Sequence, residues 1–432
     1  MACTPPSSLD LSTTTITADG HGRQRQNGQP YRDNAIASFV VGEATYQACI
    51  YWTNTANKME VAVREIGGAW TKYNYDGTGG LPDIEIGDDT DDHHTCVLAF
   101  DPEGYLHLSY NHHNDPLNYR VSSNPIATFD GTLEAEASML GTNETQLCYP
   151  VFFNDPAGKL YFMFRDGLAG DADTYMYSYD ESTPAWSGAA GTTAGLLCAG
   201  KDNSESVYLY TPCFDADFGS GGWMHMGWHW RNSPTGPQTN HNISYVKWDG
   251  TNWKQSNGTA QTVPITPANS ESADATEEDS GIAGKNGIFS DGDGNPHIVY
   301  IKGDGDDYAQ AWHTWHNGSV WSTPQVLTDS EHAAEGDPTR IEYMSPDLAI
   351  DRTTGTVYVF VVGFAKKYLW VYSSSNYSTW TLQRLLAEDI GQYAPSYDPR
   401  RWSEDGVISM AVAIHLTPSV NPFDILLLEY TP

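Results

Sequence analysis

The chain has 432 residues, with 22 Lys and Arg against 55 Asp and Glu, and the resulting formal charge of −33 argues against nucleic acid or an anionic membrane surface as a partner. Its 40 Gly, 24 Pro, 26 Tyr and 14 Trp accompany short Val/Ile/Tyr/Phe runs broken by Asp-Gly or Asn-Gly pairs, which excludes a mainly helical protein and reads as strand and turn. No stretch approaches the roughly twenty apolar residues that a membrane span needs.

Residues 1–8 read as a flexible start. No apolar signal region follows Met1, so an exported form of the chain would already have lost its signal, and Cys3 lies where a lipoprotein carries its acylated cysteine. Leu9 to Ile16 is the first strand candidate, and it is expected to share a sheet with Ile425 to Tyr430. Between them a strand-turn-strand unit recurs. Its best copies run from Phe100 to Tyr110, Asn154 to Phe164 and Ser290 to Tyr300, with weaker copies around Gly42, Gly222, Gly355 and Gly406. The glycines of successive copies lie 62, 54, 64, 72, 61 and 51 residues apart, the length of a four-stranded sheet plus connections. An aromatic follows a polar turn late in each unit, at Trp70, Phe129, Trp186, Trp253, Trp321 and Trp380. The expected fold is all-β: a seven-bladed β-propeller with four-stranded antiparallel blades, one domain over residues 1–432, closed by pairing of the terminal strands. Ala268 to Gly284 and Thr328 to Thr339 read as surface loops. The six cysteines (Cys3, Cys49, Cys96, Cys148, Cys198 and Cys213) include no CxxC pair, and Cys49 and Cys96 fall inside apolar strands as expected buried thiols.

In an antiparallel hairpin, residues placed symmetrically about the turn face each other with Cβ atoms roughly 5 Å apart. About the Pro102–Gly104 turn, His93 meets His113. About the Pro156–Gly158 turn, Tyr149 meets Arg165. About a turn near Ser220 and Gly221, Arg231 meets approximately Tyr210. Imidazole, phenol and guanidinium groups are thus expected at one rim of a chain that is otherwise strongly anionic, which implies an anionic substrate. His107, His225 and His297 occupy one repeated position after the turn glycine and read as structural.

Asp91 to Thr95, Gly104 to Tyr119, Tyr149 to Phe153, Phe164 to Gly167, Trp228 to Asn232 and Thr239 to Ile243 resemble the BNR-4 propeller group, above all the propeller-type ulvan lyases of polysaccharide lyase families 24 and 25. Trp248 to Trp253 and His316 to Trp321 resemble the degenerate Asp-box of BNR-type propellers. The resemblance implies a polysaccharide lyase with His93, His113, Tyr149 and Arg165 as catalytic residues. His94 stands where the family usually has Asn, so His93 and His94 compete for one role, as do His112 and His113. A uronate-containing, sulfated polysaccharide is the implied substrate, with Arg231, Asn240, His241, Asn114 and Tyr210 binding it. No cofactor is required for elimination. A structural zinc or calcium ion is implied by some relatives, for which Cys213, His225 and His241 offer soft ligands and Asp304 to Asp307 hard ones. The protein is expected to be a secreted, periplasmic or cell-surface monomer. A propeller glycoside hydrolase of rhamnosidase or sialidase type, and a non-catalytic carbohydrate-binding propeller, are the rival readings; the first would need a carboxylate pair, for which Asp92 and Asp166 stand near the rim.

Overall fold

The computed structural model describes residues 11–21, 27, 34–87, 91, 93–232, 237–303, 309–327, 346–362, 369–386, 395–414 and 423–432. Cys3, Asp92, the acidic loop Asp304 to Asp307 and the segment Thr328 to Thr339 lie outside them. The fold is all-β, built from antiparallel strands joined by tight turns.

The repeated unit is a hairpin in each well-formed copy. Cys96–Phe100 pairs with Leu106–Tyr110, with Ala99 opposite His107, and Ala283–Ser290 pairs with Pro296–Gly303, with Phe289 opposite His297. Gly104 turns the first hairpin at φ +86°, where a Cβ atom would stand 2.8 Å from the Phe39 ring; position 104 therefore needs glycine for both its backbone and its neighbour. Two further strands complete such units. Ile36–Val41, Ala44–Trp52, Met59–Glu65 and Thr71–Asn74 form one four-stranded sheet, and Asp347–Asp351, Thr356–Val362, Leu369–Ser374 and Thr381–Leu386 form another.

The terminal strands pair as expected. Leu11–Gly20 runs antiparallel to Phe423–Tyr430, with Leu11 opposite Tyr430 and Thr14 opposite Leu427, in a four-stranded sheet with Ile408–Ile414 and Ser396–Tyr397. The last repeat copy departs from a plain hairpin. A short α-helix, Pro399–Asp405, precedes Gly406, with proline at its start and Arg400–Glu404 and Arg401–Asp405 ion pairs one turn apart. The segment from Ala268 to Gly284 is not wholly loop either. Glu271–Asp274 adds an edge strand to Asn240–Trp248, a place where polar side chains are tolerated.

The chain divides into two compact units: Asp10–Phe164 with Tyr177–Ser187 and Asp389–Pro432, and Arg165–Met176 with Gly188–Glu388. In the first unit Ile50, Trp52, Leu98, Leu106 and Leu108 pack into one core with essentially no exposure. In the second, Val299, Ile301, Leu348, Val357 and Val359 do the same. The five described cysteines are all buried, and none forms a disulfide.

Candidate active site

The first hairpin carries its register past its own end. Cys96 lies opposite Tyr110, and continuing that pairing three residues outward sets position 93 against position 113. The chain then turns back at Asn111, whose φ of 61° is left-handed, a conformation asparagine tolerates better than most residues, and Asn114, just past His113, is left-handed too at 73°. The turn delivers His113 into the short strand His113–Asp115, which pairs with Leu147–Asn154 so that His113 lies opposite Cys148. Next along is Tyr149, itself at φ 52°. A left-handed aromatic residue in a strand costs on the order of 1–3 kcal/mol, and here the strain sits beside the two histidines.

These groups gather tightly. The His93 and His113 rings stack at 4.2 Å, inclined by 20°, and the Tyr149 ring lies 6.1 Å from each. Asp91 joins the pair: His93 Nδ1 stands 2.9 Å from Oδ1, and His113 Nδ1 stands 2.5 Å from Oδ2. Burial raises the pKa of the Asp91 carboxyl, but hydrogen bonds from His113 and His93 outweigh it and hold the value at about 2. The side chains stay reachable from solvent, at 26% exposure for His93, 32% for His113 and 25% for Asp91.

Both histidine ambiguities separate by burial. His94 is buried, with its backbone oxygen accepting from Trp52 Nε1 and its Nε2 3.4 Å from Asp115. His112 is fully buried, with Nε2 2.8 Å from Ser109 Oγ, and burial drives its pKa down to about 3. His93 and His113 are therefore the members of each tandem that lie in the partly exposed cluster. Asn114 flanks His113 in the same short strand.

In the second unit Arg165 and Arg231 are both buried and both lie over the ring of Tyr208, at 4.9 and 4.2 Å. Arg231 donates from Nη1 to the Tyr208 hydroxyl and from Nε to Asn240 Oδ1, each at 2.6 Å, and Asn240 Nδ2 donates to the Ile282 carbonyl. His229 stacks on Tyr208 at 5.1 Å with the rings nearly parallel. His241 pairs through Nε2 with Glu205 at 3.0 Å. The register of this hairpin differs from the expected one. Arg231 lies opposite Ser206, not Tyr210, because the connection is a longer turn in which Asp215 binds Trp223 and Asp217 accepts from both Ser220 and Gly222. Tyr210 is buried beyond the end of strand Glu205–Leu209, and Tyr208 holds the place next to the guanidiniums. Sequence reasoning missed Tyr208 through that shift of the turn. It also passed over Asp91, although an acidic residue two positions before a histidine is a visible signal.

The implied soft-ligand set does not fit a metal. Cys213 and His225 lie opposite each other across two strands, but His225 Nδ1 is 2.6 Å from the Tyr245 hydroxyl and its Nε2 is 3.1 Å from Asp215. His241 is held by Glu205. Among the described residues, only Asp91, His93 and His113 bring three potential ligand atoms within 4.8 Å of one another, and both imidazoles already face the carboxylate there.

The repeated histidines are of another kind. His107 has no exposure; Nδ1 is 2.7 Å from the Tyr119 hydroxyl and Nε2 is 3.4 Å from Asp101. His225 repeats the arrangement with Tyr245 and Asp215, and His297 repeats it with Asp291 at 3.7 Å and His313 in the tyrosine's place.

A family model described as a BNR repeat-containing family member matches residues 44–328. No curated protein matches the chain. Among solved structures, the crystal structure of the polysaccharide lyase Uly1 is similar at a TM-score of 0.65 and 16% identity, over 98% of this chain and 99% of that one. A structure described as a PL25 ulvan lyase is similar at a TM-score of 0.65 and 15% identity, over 96% of this chain and 95% of that one. The same lyase bound to -[GlcA(1-4)Rha3S]- gives 0.62 and 14%, over 96% and 94%. At such identities the likeness is one of fold.

Proposed function

The chain belongs to the BNR repeat-containing family, and from that premise we propose that it is a polysaccharide lyase that cleaves a uronate-containing polysaccharide by β-elimination. The observation that carries the reading is the partly exposed meeting of His93 and His113 on Asp91, with the Tyr149 ring beside both imidazoles. The likeness in fold to two polysaccharide lyases supports it.

Elimination removes the proton at C5 of the uronate and expels the oxygen at C4, so it needs a base, an acid and a group that neutralises the sugar carboxylate. His93 is the base and Tyr149 the acid, with the roles exchanged for the opposite C5 epimer. His113 orients the pair or assists protonation. Hairpin symmetry in the sequence assigns the neutralising role to Arg165, whose guanidinium suits a bidentate, charge-assisted pair with a carboxylate. Arg231, Asn240, His241 and Asn114 hold neighbouring sugars or sulfate groups, and Tyr208 takes the place first given to Tyr210. No cofactor enters these steps. Of the two carboxylates that a hydrolase would draw on, Asp166 is buried in an ion pair with Lys201 at 2.5 Å, and Asp92 lies outside the described residues.

We take the substrate to be a sulfated rhamnose-uronate polymer of the ulvan type, met outside the cell by a monomer. The seven-blade count and the single-domain reading rest on the sequence repeat and belong to the same proposal. The test is incubation with ulvan and with other uronate polysaccharides, following both ultraviolet absorbance and reducing ends. An elimination raises both, because it leaves a conjugated double bond at the new end. Reducing ends rising without absorbance would make the protein a hydrolase, and binding with neither would make it a lectin.

A further inference from the structure

The proposed reaction needs a defined proton on each imidazole, and that need directs attention to Asp91. One carboxylate serves two rings: Oδ1 lies 2.9 Å from His93 Nδ1 and accepts the His93 backbone N–H at 3.0 Å, while Oδ2 lies 2.5 Å from His113 Nδ1. Its acidity, held at about 2 as described, makes it an acceptor only at any pH where the fold is of interest. A nitrogen that hydrogen-bonds to an ionised carboxylate must carry the proton. A neutral imidazole has one N–H, so Nδ1–H on a ring leaves the lone pair on Nε2.

We infer that Asp91 is a positioning residue that fixes His93 and His113 together in the Nδ1–H tautomer, so that Nε2 on each ring exchanges protons with the substrate. The inference rests on the lyase reading for its consequence but on geometry for its content. The stacking of the rings at 4.2 Å follows from their sharing one anchor, and it keeps two chemically identical side chains at one place on the sugar. Among the described residues, other charged or titratable groups near the cluster include His94, whose Nε2 is 3.8 Å from Asp91 Oδ2, Asp115, which accepts the His113 backbone N–H at 3.0 Å, and the Tyr149 phenol. Asp115 anchors backbone, whereas Asp91 alone among the described carboxylates contacts both rings.

The test uses the whole chain with ¹⁵N-labelled histidine. Long-range ¹H–¹⁵N spectra, assigned with His93→Gln and His113→Gln, are expected to show Nδ1–H on both rings of the unmodified protein. Asp91→Asn presents an amide N–H in place of an acceptor oxygen and is expected to move at least one ring to the Nε2–H tautomer. On a substrate that the unmodified protein cleaves, kcat is expected to fall by about 10²- to 10⁴-fold with KM changed less than about threefold, since general acid–base catalysis is what is lost. Asp91→Glu, which keeps the carboxylate, is expected to recover part of that loss. Nε2–H on either ring of the unmodified protein overturns the inference without any variant, as does an Asp91→Asn protein with unchanged tautomers or unchanged kcat. If no uronate polymer is cleaved by the unmodified protein, the lyase reading fails, while the tautomer spectra still decide the role of Asp91.

Discussion

Two sets of histidines in this protein make the same chemical pair, imidazole with carboxylate, to opposite ends. His107 sits between Asp101 and the Tyr119 hydroxyl with no exposure, and the arrangement recurs at His225 and His297. His93 and His113 share Asp91 at about a quarter to a third exposure, and this arrangement occurs once among the described residues. Burial pushes the pKa values of His107 and His297 down and keeps both rings neutral, so they spend their nitrogens on holding a turn to the next strand. The His93 and His113 rings stay reachable from solvent. What a histidine does here follows from burial and repetition more than from its partner.

The sharpest way to break the comparison is to remove one ring from each set. His113→Ala is expected to lower kcat on a cleaved polysaccharide by about 10²- to 10⁴-fold, the usual worth of a positioned acid or base, while stability in denaturant stays within about 1 kcal/mol. His107→Ala is expected to do the reverse. It leaves a cavity and takes a partner from both Tyr119 and Asp101, so it should cost about 2–4 kcal/mol in urea unfolding and leave kcat within about twofold at a temperature where the variant is folded. Equal loss of activity in a folded His107→Ala protein would erase the division.

A matched pair of phenols sharpens it at smaller cost. The Tyr119 hydroxyl accepts from Trp186 Nε1 at 3.0 Å and meets His107 Nδ1, in the core. Tyr119→Phe should therefore lower stability by about 2 kcal/mol with normal turnover. Tyr149→Phe removes a hydroxyl from the partly exposed cluster, and it should slow turnover by about 10²-fold at nearly unchanged stability. Melting curves and initial rates on the two proteins separate the cases.

Much of this division was legible in the chain. The repeat of a histidine three residues after the turn glycines Gly104, Gly222 and Gly294 marked His107, His225 and His297 as structural, and pairing symmetric about Gly104's turn brought His93 to His113, because that turn is tight and its strands carry no bulge. The same arithmetic failed for Arg231. Its hairpin closes through a wide turn in which the Asp215 carboxylate accepts from the Trp223 N–H and the Asp217 backbone carbonyl accepts from the Ser220 and Gly222 N–H groups, and not through a single glycine. The strand at Glu271–Asp274 was hidden for a related reason, since an edge strand paired on one side needs no apolar alternation. The role of Asp91 could not be read from its spacing to His93 alone, because it depends on what stands opposite, and the left-handed Asn111, just before His113, announces a turn without saying where it points.

The smallest expected effect separates the two sets by pH alone. Burial lowers the pKa of His107 in the folded chain below its ordinary value of about 6.5, so as pH falls through that value the unfolded chain takes up a proton that the folded chain refuses. Its contribution is complete above about 6.5 and declines below it, and stability rises with pH across that window. Asp91 behaves otherwise. Its carboxyl is held at about 2, so what it contributes is present above the ordinary carboxylate range and is lost only as pH falls from that range through about 2. Between about pH 6.5 and 5 buried neutral imidazoles, His107 and His297 among them, contribute to the slope, and Asp91 is silent. His107→Gln keeps a polar group in place but cannot titrate, and it should flatten the fall in unfolding free energy over that interval by about 1 kcal/mol. Asp91→Asn should leave the slope as it is. Urea titrations of the three proteins at matched ionic strength measure this, and a slope unchanged in His107→Gln would mean that its imidazole takes up its proton equally in the folded and unfolded chains.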